Sequence, residues 1–252
     1  MKEITSIKNQ TVCDVKKLKQ KKYRTQTGTF LAEGYRNVCD SIQKAAPRMV
    51  FLQQGFSDSV PECENTYLVT KEVMREISDT DTPQGVAAVF EIPPEQEVTS
   101  SKILLLNGVS DPGNMGTILR TALATGFTDV ILDEQCADVY SPKVIRSAMS
   151  AVFSLNLIRK KTLEDSIASL QTKGYLIYAA ALSDKAVSLY DTDFSENTAL
   201  LFGSEANGIS ETLLKLTDVT YMIPMAKEIE SLNVAVAAGV SMYELIRQKG
   251  ES

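Results

Sequence analysis

Histidine is absent from all 252 residues. That excludes Ser-His-Asp and Cys-His nucleophile systems, the usual zinc hydrolase sites and any imidazole proton shuttle. Close cysteine pairs are lacking as well. Cys13, Cys39, Cys63 and Cys136 stand far apart, which fits neither a zinc site nor a disulfide framework, so four reduced thiols in a cytoplasmic protein and no metal are expected. No apolar run approaches the roughly 20 residues that span a bilayer, and the opening MKEITSIKNQ has no apolar signal-peptide core, so neither membrane insertion nor export is expected. Finally, neither a G-x-G-x-x-G fingerprint nor a phosphate-loop Gly-Lys-Ser/Thr follows any strand-like run. Gly113-x-x-Gly116 alone is a weak sign of a dinucleotide or triphosphate site.

At 44% hydrophobic and 7% aromatic residues the chain can bury a sizeable core, as one large domain or two modest ones. The formal charge is −6, yet residues 1–24 hold seven lysines and Arg24 against Glu3 and Asp14, a local excess of six positive charges. A polyanion responds to such a patch more than to the net charge. The run KKLKQKKYR is therefore either a phosphate-contacting surface built from Lys16, Lys17, Lys19, Lys21, Lys22 and Arg24 or a solvated helix face.

The stretch EIPPEQEVTSS (91–101), rich in proline, acidic and hydroxyl residues, reads as a linker. Upstream, GTFLAEG, RMVFLQQ, TYLVT and GVAAVFEI read as strands, with helices over 35–45 and 71–78, giving a small α/β domain. Downstream, nearly continuous apolar strands are expected at 103–106, 130–132, 176–180, 199–202 and 221–223, alternating with helices, the pattern of a parallel sheet covered on both faces. Three of these strands run into unusual loops: DPGNMGTILRTA (111–122), LLFGSEANGIS (200–210) and IPMAKEIESLNVAVAAG (223–239). In a parallel α/β sheet the carboxyl ends of the strands are where ligands bind. Taken singly, each polar residue there has a plain structural reading: Asn114 as a turn former, Arg120 as a solvent-facing helix residue, Glu205 as a first-turn acid, Ser231 as a helix cap.

Together, in this order and separation, the three stretches resemble the motifs of the SpoU (TrmH) RNA 2′-O-ribose methyltransferases of the SPOUT superfamily. The resemblance covers roughly 102–250 and, more loosely, the upstream domain. It implies an α/β protein with a trefoil-knotted, parallel-sheet methyltransferase domain at 102–252, a linker at 93–101, and a small RNA-binding α/β domain at 25–92 similar to a ribosomal protein fold. The basic segment 1–24 precedes them. It further implies S-adenosylmethionine as cofactor, RNA as substrate, with ribosomal RNA favoured over transfer RNA, and a homodimer.

Carried over by motif, Asn114, Arg120, Glu205, Ser231 and Asn233 are the expected catalytic residues, and the backbones of Gly203, Ile223 and Leu232 the expected cofactor contacts. The sequence departs from the family pattern only slightly, with Asn107-Gly108 ahead of the first motif and Ala206-Asn207 where a second glycine is common. A methyl sulfonium is already a strong electrophile, so positioning is expected to dominate. A guanidinium with a pKa above about 12 is a poor base in water, which makes Arg120 a clamp for phosphate and for developing alkoxide charge, its role as base left open. Asn114, Glu205, Ser231 and Asn233 are expected to orient it together with the ribose. Two other readings of the chain are a catalytically silent RNA-binding assembly factor and a small-molecule enzyme with a nucleotide cofactor.

Overall fold

A computed structural model of the chain describes residues 1–61, 63–183, 185–226 and 231–250; positions 227–230 of the third motif fall outside the described residues. The elements in chain order are β1 (Lys2–Ile4), α1 (Gln10–Lys17), α2 (Lys21–Thr27), β2 (Thr29–Glu33), α3 (Tyr35–Ile42), β3 (Met49–Gln53), β4 (Thr66–Val69), α4 (Lys71–Ile77) and β5 (Val86–Glu91). They continue with β6 (Lys102–Asn107), α5 (Pro112–Ala124), β7 (Asp129–Leu132), α6 (Pro142–Ala148), a 3-10 turn at Met149–Phe153, β8 (Asn156–Arg159), α7 (Glu164–Thr172) and β9 (Leu176–Ala180). After β10 (Val187–Ser188) come β11 (Thr198–Gly203), α8 (Glu211–Leu214), β12 (Val219–Met222) and α9 (Val234–Lys249).

These gather into two compact units. One comprises Met1–Pro94 together with Asp138–Phe153, the other Glu95–Ala137 together with Ser154–Ser252. Segment 138–153, which the sequence assigned to the downstream domain, thus packs with the upstream one.

In the first unit the sheet runs β1-β4-β3-β5-β2, parallel from β1 to β3 and antiparallel across β5. All five residues of β2 are buried, because both of its faces are covered. On one face Val12, Val15 and Leu18 join Leu31, Phe51, Val73, Met74 and Ile77 in one core. On the other, Phe30 and Phe90 meet Phe153 at ring-centre distances of 5.5 and 5.0 Å, and Tyr140 lies 5.2 Å from Phe30. Such tilted and edge-on pairs add to area burial. The aromatic contribution from 138–153 explains why that segment belongs here.

The basic segment is part of this unit, and the structure gives two of its cations a role that neither sequence reading included. Arg24 is buried, 3% exposed, donating to the carbonyl of Leu18 at 2.7 Å and pairing with Asp138 at 2.5 Å. Lys19 donates to the backbone carbonyls of Glu76 and Ser78, and Lys16 pairs with Glu76. Arg24 and Lys19 are therefore committed to the fold, neither facing solvent nor free for phosphate. Lys21 and Lys22 remain exposed, Lys22 lying 5.9 Å from the centre of the Tyr23 ring.

In the second unit every strand pairing is parallel, in the order β10-β12-β9-β11-β6-β7-β8. The expected strands all form, with ends shifted by a residue or two, and β8 and the short β10 are additional. Ile103, Leu105, Ile131, Ile177, Ala199 and Leu201 point into one core, and α5 packs along α9. The stretch read as a linker is tied down from Glu95 onward: Asp129 accepts from the backbone N–H groups of Thr99 and Ser100, and Gln96 exchanges two hydrogen bonds with Asn156. Chain order reverses across the β11-β6 pair, and that is where a crevice opens at the carboxyl edge of an α/β sheet.

Removing one partner of a buried ion pair strands the other charge, at a cost of about 3–5 kcal/mol. Arg24→Ala should lower the unfolding free energy by about that amount in urea denaturation of the full chain. A loss under about 1 kcal/mol would show that the pair does not anchor 138–153.

Candidate functional site

Three loops converge at the carboxyl ends of β6, β11 and β12. After β6, Asn107 donates to Asp133 at 2.6 Å and accepts from the backbone N–H of Ser210 at 3.0 Å, while the buried Asp133 also accepts from the N–H groups of Gly108, Gln135 and Cys136. This fastens the ends of β6 and β7 to the loop after β11. The Cys136 thiol, buried against the Leu106 carbonyl, is pushed up to about 12 by desolvation and is inert at neutral pH.

Helix α5 opens on Asp111, whose carboxylate caps the N–H of Asn114 at 2.8 Å, with Pro112 at the first helical position. After β11, Gly203 has no alternative: a Cβ there would stand 2.1 Å from the carbonyl carbon of Gly208 and 2.3 Å from the nitrogen of Ile209. Ser204 and Gly208 exchange backbone hydrogen bonds at 3.1 and 2.9 Å, and Gly208 adopts φ +64°, closing a tight hairpin that presents Glu205. Helix α9 is capped by Asn233, whose side-chain oxygen accepts from the N–H groups of Ala235 and Val236 at 2.9 and 3.3 Å.

Asn114 joins all three. Its amide nitrogen donates to the carboxylate of Glu205, and its oxygen accepts from the amide nitrogen of Asn233 at 3.0 Å. The polarity admits one arrangement. The N–H groups opening α9 can only donate, so they take the Asn233 oxygen. Its nitrogen must then face the Asn114 oxygen, and the Asn114 nitrogen is left for Glu205, an acceptor when ionised.

Glu205 and Ser231 border a cavity of about 420 Å³ whose walls include Phe202, Gly203, Ile223, Met225 and Leu232. All three expected cofactor contacts thus lie on one cavity. A larger groove of about 730 Å³, between 95–98 and α7, touches none of the expected residues. Arg120 is the exception. It lies on the exposed side of α5 with Thr117 and Ala124, six residues from Asn114 and so about 120° round the helix. Among the described residues it makes no hydrogen bond or ion pair, so Asn114, Glu205, Ser231 and Asn233 do not orient it within this chain. Sequence reading passed over Asp133 and the fastening role of Asn107; an aspartate directly after an apolar strand was the available signal.

Residues 101–243 match the SpoU rRNA methylase family, and residues 9–88 match the MRM3-like substrate binding domain. The chain belongs to the SpoU rRNA methylase family. It is 37% identical to the 23S rRNA (guanosine(2553)-2′-O)-methyltransferase RlmP of Bacillus subtilis (strain 168), over 97% of this chain and 99% of that protein. It is 30% identical to the 23S rRNA (uridine(2479)-2′-O)-methyltransferase of Streptomyces viridochromogenes, over 90% and 85%. Among solved structures, a TrmH-family RNA methyltransferase from Porphyromonas gingivalis superposes with a TM-score of 0.86 at 33% identity, covering 96% of this chain and 99% of that one. The SpoU methyltransferase AviRb from Streptomyces viridochromogenes, solved with the cofactor AdoMet, gives 0.86 at 26% identity over 96% and 98%. This SpoU-family protein is accordingly an S-adenosylmethionine-dependent rRNA 2′-O-ribose methylase.

Losing an N-cap side chain costs about 0.5–2 kcal/mol. Asn233→Ala should therefore lower stability by about 1 kcal/mol in urea denaturation. Asn233→Asp keeps the cap, so its stability should stay near wild type, but it cannot donate to Asn114 and should lose most methyl transfer. Wild-type transfer by the aspartate variant would show the relay to be idle.

Proposed function

We propose that this chain methylates a ribose 2′-hydroxyl of 23S ribosomal RNA in the cytoplasm, as a homodimer, through Asn114, Arg120, Glu205, Ser231 and Asn233. The observation that carries this reading is the relay uniting Glu205, Asn114 and Asn233 at the rim of the cavity lined by Gly203, Ile223 and Leu232. The cavity suits S-adenosylmethionine: apolar walls, a backbone that Gly203 keeps free of side chain, and an acid at the mouth. When bound there, the cofactor supplies an electrophilic methyl group. The chain's part is to hold the hydroxyl in line and to stabilise charge on its oxygen. Glu205, fixed by Asn114, and Ser231 would orient the ribose. Arg120, exposed and unpaired among the described residues, is free to clamp a phosphate and offset alkoxide charge. The match of residues 9–88 to a substrate-binding domain supports an RNA-binding role for the first unit, and the close hairpin after β11 is compatible with a trefoil knot in the second.

Incubation with tritiated S-adenosylmethionine and ribosomal RNA from a deletion strain tests the reading. Label in 23S RNA is expected; cofactor binding with no transfer would point instead to a silent RNA-binding factor. In the same assay Arg120→Ala should abolish transfer with cofactor affinity nearly unchanged. Arg120→Lys should be severely impaired, because an ammonium does not reproduce the planar fork. Near-normal turnover by either variant refutes the clamp.

The dimer rests on α9, whose outer side leaves Val236 52% and Tyr243 54% exposed on a helix with Gly239 between them. Light scattering on the full chain should return twice the 27.6 kDa of one copy. Replacing both residues with Glu should return single copies; a wild-type monomer would refute the proposal.

A further inference from the structure

The hairpin that presents Glu205 has two legs, and both meet one residue. The entry leg ends β11 at Gly203, the register partner of Asn107 across the parallel ladder with β6. The exit leg runs to Ser210, whose backbone N–H donates to the side-chain oxygen of Asn107 at 3.0 Å. Ile209, one residue earlier, is buried in the core and holds this leg down. A hydrophobic contact has no direction, whereas a hydrogen bond fixes distance and angle. Asn107 therefore sets where along the sheet edge the exit leg stands.

The amide of Asn107 is itself fixed. The Ser210 N–H can only donate, so it takes the amide oxygen, and the amide nitrogen turns to Asp133. Asp133, 3% exposed and directly after β7, divides its two oxygens. One accepts from Asn107 at 2.6 Å, and the other accepts from the N–H groups of Gly108, Gln135 and Cys136, each at 3.1 Å. A chain of hydrogen bonds thus runs from the end of β7 through two side chains to the hairpin. Neither side chain lines the cofactor cavity.

We propose that Asn107 and Asp133 are positioning residues for methyl transfer, acting through the hairpin to hold Glu205 at the cavity mouth. The inference rests on the methylase reading above. What matters in the pair is the direction of its hydrogen bonds, not which side chain is the acid. Asn107→Asp combined with Asp133→Asn keeps every donor opposite an acceptor: the carboxylate moved to 107 accepts from Ser210 and from the amide moved to 133, whose oxygen keeps the three backbone N–H groups. Either change alone breaks the set. Asn107→Asp opposes two carboxylates. Asp133→Asn opposes two amide nitrogens, and turning the Asn107 amide over to relieve them would face the Ser210 N–H with a donor.

The test measures methyl transfer to ribosomal RNA from a deletion strain, together with unfolding midpoints, for the wild type, both single variants and the combined exchange. Well below the lowest midpoint, each single variant should lose kcat about tenfold or more, because misplacement is costly in a reaction driven by alignment. KM for RNA and affinity for S-adenosylmethionine should stay within about twofold of wild type, the pattern of an interaction that counts in the transition state. The exchange should return kcat to within about threefold of wild type, a strong coupling between the two sites. Should Asn107→Asp fail to fold, Asp133→Asn, which brings no second charge, carries the same expectation for kcat. Lowered midpoints with unchanged kcat in the single variants would make the pair a support of the fold alone and overturn the proposal. An exchange that restores the midpoint but not kcat overturns it too. Both results leave the methylase reading standing, whereas a wild-type protein that methylates no RNA sinks that reading itself.

Discussion

The second unit depends on one side-chain amide, that of Asn114. A loop after β6, a hairpin after β11 and the first turn of α9 are far apart in sequence, and each alone is a common structural device. Asn114 makes them one object because an amide carries a donor and an acceptor at fixed separation, and its neighbours need one of each. The helix N-terminus sets the direction of the relay, which ends on the Glu205 carboxylate at the cavity mouth. No other polar side chain of similar size does this. Aspartate lacks the donor, serine lacks reach, and leucine would leave the Glu205 carboxylate and the Asn233 amide unpaired by Asn114.

Around that amide, the backbone is held by features that permit no slack. Gly203 and Gly208 approach to a distance at which any side chain on Gly203 would collide with main chain, and Asp133 gathers N–H groups from the β6 and β7 ends. Rigid placement of this kind is what a reaction driven by alignment needs. It also fits the lack of histidine: with an activated methyl donor the demand on a general base is small, so the proposed set of amides, one carboxylate and one guanidinium contains no imidazole.

Much of this was legible in the sequence. Strands buried on both faces advertise themselves as apolar runs, and ILLL, VIL and ALLF fall where expected because nothing polar interrupts them. Loops rich in glycine and asparagine were legible as the segments that gather at the carboxyl ends of the strands. What escaped notice lacked a local signal. β1 has three residues and β10 two, too few to show a period, and β8, NLIR, has only two buried residues between half-buried polar ends. The transfer of 138–153 to the first unit depends on Phe153 and Tyr140 meeting Phe30, a contact between residues over 100 apart that no window along the chain displays. The basic run stayed ambiguous for a related reason. Charge density is visible in sequence, but whether a given cation faces water or a buried acid is decided by tertiary partners, and Arg24 found Asp138.

Arg120 shows the limit from the other direction. Its motif position is clear, yet a residue six places along a helix from Asn114 cannot share its face, so its work, on the reading proposed above, is done at a surface that this chain leaves open. The site therefore divides into a part that folding completes, from Glu205 to Asn233, and a part that only a bound partner can complete. That division has a physical reason. An arginine paired within the fold would need its hydrogen bonds broken before it could hold a phosphate, whereas one standing in solvent gives up only water. On that reading, internal rigidity at the cofactor and external availability at the substrate are separate requirements, and α5 meets both by turning about 120° between Asn114 and Arg120.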